Sequence, residues 1–243
     1  MIIRPEEITV GSKEEIVAKV VEGIVKALNE AISKNGRARL VLAGGSTFKP
    51  VYQILASPEY IQKVDWSKVE LFFGDERCVP QDHADSNYRA VTEDLKPLLE
   101  GGKVSVRRMK GELPPQLAIG DYTAALRSTN EGQLPIFDLV LLGIGKDGHT
   151  ASLFPGSLAA IVAFGKEVAH TEAELAPFVG RLTLTPQVLQ NSGFTIVMAA
   201  GEEKAAILPL VLQDEQGKYP FYYLRPLHGT WHFFLDTTAA KFI

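Results

Sequence analysis

Five short apolar runs constrain this chain more than any other feature. They are ARLVLA (38–43), VELFF (69–73), FDLVLL (137–142), FTIVMAA (194–200) and WHFFLD (231–236). Each is too short for a buried helix, and each ends in glycine or charge, which suits strands covered on both faces. KVSVRRM (103–109) is a further candidate. Helical stretches fall between them. Residues 12–34 open with Ser12 and Glu15 at capping-box spacing, carry Ile16, Val20, Ile24 and Leu28 on one face, and stop at Asn35-Gly36. Ser86–Leu99 and residues 115–128 read as helices, and so does EEKAAILPLVLQ (202–213), which Pro209 should interrupt. Strands alternating with helices predict a layered α/β fold around a mostly parallel sheet. Residues 156–180 have no clean period.

No repeat or linker divides the 243 residues, so the expectation is one domain over 1–243. The formal charge of −4 and the absence of a Lys/Arg run argue against a nucleic-acid partner; Arg107, Arg108 and Lys110 form only a small basic cluster. A single cysteine, Cys78, implies no disulfide. The opening MIIRPEEITV lacks a secretory pattern, and no apolar run approaches the ~18 residues that span a bilayer. The expectation is a soluble cytoplasmic protein without membrane attachment, a monomer or small homo-oligomer.

In parallel sheets, ligands bind beyond the carboxyl ends of the strands, and chemistry-bearing residues cluster there. In AGGSTFKP (43–50), Gly44 and Gly45 allow close backbone approach to an anion, and Ser46 and Thr47 offer hydroxyls and a helix cap. It is not a P-loop, since no GKS or GKT follows. In GDERCVP (74–80), Asp75 and Arg77 are placed to face a cleft, with Glu76 pointing elsewhere. GIGKDGHTASLFPGS (143–157) contains a GxGxxG, but it follows a late strand, and Pro155 and Gly156 cut short any helix, so it reads poorly as a dinucleotide site. It does place Asp147 beside His149, a side chain able to exchange protons near neutrality. Ser152 lacks the elbow of a serine nucleophile. Arg181 and Lys204 are candidate anion ligands. His228 and His232, four apart at a strand edge, do not converge, so no metal is expected.

Taken together and in this order, GGST, GDERCVPQDHADSN (74–87), GIGKDGHTASLFPGS, RLTLTP (181–186) and WHFFLDTTAA (231–240) resemble the 6-phosphogluconolactonases of the sugar-phosphate isomerase-like group. The resemblance covers about residues 39–240. It implies a three-layer α/β/α fold with a Rossmann-like sheet and no nucleotide. It also implies hydrolysis of a phosphorylated sugar lactone in the pentose phosphate pathway, without a cofactor. By it His149 matches the catalytic histidine, Asp75 and Arg77 the active-site acid and arginine, and Arg181, Lys204 and the GGST loop the phosphate ligands. Two departures stand out: Phe48 follows Thr47 where the family often has proline, and TEAELAPFVG (171–180) lacks a Lys-Pro-Pro often found there.

Two other readings compete. Glucosamine-6-phosphate deaminases share GIGxDGH, but have DEY where this chain has DER, and IAFNEP after the histidine where this chain has TASLFPG. A non-catalytic sugar-phosphate sensor would need Arg181 and Lys204 but neither Asp75 nor His149. The mechanism implied has His149 take a proton from water attacking the lactone carbonyl, with Asp147 or Asp75 orienting the ring and Arg77 stabilising the oxyanion.

Overall fold

The computed structural model describes residues 7–101, 103–158, 161–162 and 165–243. Most of the N-terminal stretch read against a secretory signal, and parts of the aperiodic 156–180 stretch, therefore lie outside the described residues. Seven strands form one sheet in which every pairing is parallel: β1 (Ile8–Gly11), β2 (Ala38–Leu42), β3 (Val69–Phe73), β5 (Ser105–Arg107), β6 (Phe137–Gly143), β9 (Ser192–Ala199) and β10 (Thr230–Asp236). Their order is β1-β10-β9-β6-β2-β3-β5. A second, antiparallel sheet of order β4-β8-β7 joins β4 (Asp75–Arg77), β7 (Val168–Thr171) and β8 (Arg181–Leu184).

The apolar runs are continuous because both faces of the large sheet are covered. Leu40, Leu42, Leu71, Phe73, Leu139 and Leu141 pack into one core. That core is closed by α1 (Lys13–Asn35), α2 (Lys49–Leu55), α4 (Asn87–Asp94) and α5 (Lys96–Leu99). Val41, Phe72, Val140, Leu142, Val197 and Phe233 face the other core, against α6 (Pro115–Ser128), the short helices Pro186–Leu189 and Leu208–Leu212, and β7 and β8. The result is helices, sheet, helices, as expected. A short helix, α3 (Pro58–Ile61), follows α2.

Local chemistry explains the element ends. Ser12 accepts the Glu15 N–H at 3.1 Å and donates its own N–H to the Glu15 carboxylate at 2.7 Å, and Gly36 closes α1 at φ +73°. Two expectations need correcting. Ser86–Leu99 is two helices, because Pro97 can only open a new first turn. Residues 202–213 form a 3₁₀ turn (Glu202–Lys204) and then a helix that Pro209 helps to start. After β10 the chain makes turns, held by Asp236, which accepts the Ala239 and Gly201 N–H groups and the Thr238 hydroxyl.

The strand order fixes where a ligand can enter. From β2 the chain moves outward through β3 to β5, then returns to β6 on the other side of β2 and moves outward through β9 to β10. Connections thus reverse direction between β2 and β6, and the carboxyl ends of these strands open a crevice.

Candidate active site

A cavity of about 280 Å³ occupies that crevice. Gly44 and Gly45 reach it from the end of β2, Asp75 and Arg77 from β4, His149 from the loop after β6, and Lys204 from the turn after β9. Two larger hollows, of about 420 and 960 Å³, do not touch the carboxyl ends of β2, β3 or β6. Lys146 also lines the crevice, so among the described residues lining it three cations (Arg77, Lys146 and Lys204) outnumber one carboxylate, Asp75, beside the histidine. That excess suits an anionic ligand.

His149 and Asp147 form a local pair. The Asp147 carboxylate lies 2.5 Å from His149 Nδ1 and accepts the His149 backbone N–H at 3.2 Å. Burial works against ionisation of Asp147, but its contacts with His149 outweigh this and hold the carboxyl below its ordinary range. An ionised carboxylate only accepts, so Nδ1 carries the proton and Nε2 is left as the basic nitrogen. Phe154 lies against the imidazole, ring centres 4.8 Å apart. Gly145 is what makes the pairing possible: a Cβ there would sit 2.1 Å from His149 Nδ1 and 2.7 Å from Asp147 Oδ1. Gly148 turns the chain at φ +87° against the Tyr219 ring. The glycine spacing thus belongs to the Asp147–His149 pair, and of the two aspartates it is Asp147 whose carboxylate meets the ring nitrogen.

The DER strand divides its charges. Asp75 faces the cavity, held by the Asn87 amide (3.0 Å to Oδ1) and the Ser152 hydroxyl (2.6 Å to Oδ2). Glu76 turns away and accepts the N–H groups of Arg77, Asn87 and Tyr88 and the Ser86 hydroxyl, anchoring the start of α4. Burial still pushes its carboxyl above the usual range. Arg77 sits directly opposite Arg181 in the β4–β8 register. Arg77 donates to the Asp85 carbonyl at 2.5 Å and Arg181 to the Pro177 carbonyl at 2.9 Å, while both Nε atoms are buried and unpartnered. Burial, followed by the charge of Arg77, lowers the Arg181 guanidinium from its ordinary value. Like charges facing each other across a strand pair destabilise unless an anion joins them.

A family profile described as glucosamine-6-phosphate isomerases/6-phosphogluconolactonase matches residues 11–233. The chain belongs to this family. Among its relatives, the 6-phosphogluconolactonase of Rattus norvegicus is 34% identical over 235 residues, covering 96% of this chain and 91% of the rat protein. The solved 6-phosphogluconolactonase from Trypanosoma brucei superposes with a TM-score of 0.81 at 30% identity, covering 96% and 97% of the two chains. A monomeric glucosamine-6-phosphate deaminase, at 18% identity, has a TM-score of 0.79 over 98% and 100% of the chains. At that identity the likeness shows the fold alone, so the family's two chemistries must be separated by site residues.

Against the family pattern, the structure brings Gly44, Gly45, Asp75, Arg77, His149 and Lys204 to one cavity, with Asp147 and Arg181 one contact behind. Ser46 is exposed, and neither Ser46 nor Thr47 lines the cavity or caps α2, whose N-cap is Phe48 with no side-chain bond. Phe48 is instead fully buried and stacked 6.0 Å from Tyr52, whose hydroxyl ties down Ala43, so the first departure from the family pattern serves packing. In the second, Leu175 lines the cavity and Pro177 holds Arg181. Sequence reasoning missed Lys146, Asn87 and Ser152 as site residues. All three stand inside quoted motifs, yet nothing in the spacing says which way they point. The basic cluster is absorbed in ion pairs of Arg107 with Glu70, Arg108 with Glu112, and Lys110 with Asp121. His228 and His232 bond to Asn191 and Thr9. Among the described residues no helix is long and apolar enough to cross a membrane, and no cluster of ligating side chains could hold a metal.

Proposed function

We propose that this chain hydrolyses 6-phospho-D-glucono-1,5-lactone to 6-phosphogluconate, the step that the resemblance assigns to the pentose phosphate pathway. The observation that carries this reading is His149, paired with Asp147 behind it, in a cavity lined by three cations. The phosphate is the handle: Lys204, the glycines of the 43–50 loop, and Arg181 behind Arg77 attract it and turn its binding energy into orientation of the lactone. His149 Nε2 takes a proton from the attacking water while Asp147 stabilises the imidazolium, and the proton returns to the ring oxygen as the ester opens. Arg77 faces the developing oxyanion. Asp75, fixed by Asn87 and Ser152, takes a hydrogen bond from a sugar hydroxyl.

The DER and TASLFPG sequences favour lactone over amino-sugar chemistry. A deaminase reading keeps the fold but has no second observation here. The test is lactone hydrolysis above the spontaneous rate, with and without the 6-phosphate on the substrate. Acceleration that requires the phosphate supports the reading. Ammonia release from glucosamine 6-phosphate without lactone hydrolysis would replace it with the deaminase, and binding of sugar phosphates without turnover in either assay with the sensor.

A further inference from the structure

We propose that Asn87 and Ser152 are positioning residues that clamp the Asp75 carboxylate from its two sides and keep it off the neighbouring arginines. The inference rests on the lactonase reading for its substrate but on separate geometry for its mechanism.

Asp75 is 8% exposed, and a buried carboxylate needs donors. Each of its oxygens receives one. The Ser152 hydroxyl has a single proton, and at 2.6 Å from Oδ2 it is committed there. The Asn87 amide spends one hydrogen on Oδ1 at 3.0 Å and one on the Asp75 backbone carbonyl at 3.1 Å. Both amide donors are thus used on one residue, which fixes the amide's orientation.

The clamp is itself braced. Ser152 N–H donates to Thr183 Oγ1 at 3.3 Å, and Thr183 is the residue opposite Asp75 across β4–β8. Asn87 is the first residue of α4, and its N–H and that of Tyr88 end on Glu76, next to Asp75 in the chain. Gly44 supplies the space: a Cβ there would lie 2.1 Å from Asn87 Oδ1 and 2.3 Å from its Cγ. Two separate segments donate to one carboxylate, and two more, β8 and the loop after β2, brace them or make room for them.

The arrangement has a purpose beyond satisfying buried polar atoms. Arg77 and Arg181 lie close by, and an unrestrained Asp75 would turn toward them and neutralise the charge that an anionic substrate needs. Held between Asn87 and Ser152, Asp75 instead presents its remaining lone pairs to the cavity.

The experiment is a double-mutant cycle of Ser152→Ala with Asp75→Asn, read in kcat/KM for the phosphorylated lactone and in 6-phosphogluconate affinity by calorimetry. Ser152→Ala alone should lower kcat/KM by about 10–100-fold, the loss of one hydrogen bond to a charged group. In the Asp75→Asn background the same change should have less than about a twofold effect, because the group it acts through is gone. An equal loss in both backgrounds, or no loss in the wild-type background, overturns the clamp. Asn87→Ala with Asp75→Asn repeats the cycle if Ser152→Ala does not fold. If wild-type protein does not hydrolyse the lactone, the functional reading fails, while the cycle in 6-phosphogluconate affinity still decides the clamp. Neither turnover nor binding overturns both.

Discussion

The two acidic elements of the site are built in opposite ways. Asp147 and His149 are two residues apart, and one loop both supplies and orients the basic nitrogen. Asp75, on β4, is fixed by residues from α4 and the loop after β6, with room made by the loop after β2. In each case a glycine is required for space rather than for backbone freedom: Gly145 for the histidine pair and Gly44 for Asn87. Neither has a positive φ, whereas Gly45 (φ +85°) has nothing near its absent side chain. A sequence motif can thus encode a local machine outright, while a distributed one exists only once the sheet has formed.

That contrast can be broken one half at a time. Gly145→Ala should strike hardest, since its methyl group must displace His149 or Asp147; kcat should fall by ~10²–10⁴-fold, as for loss of the base, with the fold retained by circular dichroism. Gly44→Ala should leave the histidine pair intact and dislodge Asn87, lowering kcat/KM by about 10–100-fold. Equal effects of the two variants on the pH profile would merge the halves into one unit. The smallest effect concerns Cys78, which follows Arg77 in the chain. Burial, with Glu172 adding to it, pushes this thiol up to about 11. The thiolate is the reactive form, so iodoacetamide should label Cys78 slowly at pH 7, and faster only as pH rises toward that value. The slow rate should persist in Gly145→Ala. Rapid labelling at neutral pH would mean that the small sheet opens.

The legibility of the chain follows the same division. The central strands were readable because both faces are buried, and α1 because its capping box and αL glycine are local. β7, β8 and the three-residue β4 were not readable as strands: they are short, half or more of their residues are polar, and they are defined by long-range antiparallel pairing. With them went the Arg77–Arg181 juxtaposition, which depends on register between segments about a hundred residues apart. His149, Asp75 and Arg77 stood out because charge beyond a buried strand is conspicuous. Ser152 did not, because a serine there differs in no local way from a turn residue. The hydroxyls of Ser46 and Thr47 misled for the reverse reason: they suit an anion site by type, and the fold leaves them off the cavity.

The most direct measurement is steady-state lactone hydrolysis by His149→Asn beside wild-type protein at neutral pH. A fall in kcat of ~10²–10⁴-fold with KM little changed is the predicted result, the signature of a lost general base in an otherwise intact site. A kcat close to wild type would contradict it and move the chemistry away from the Asp147–His149 pair.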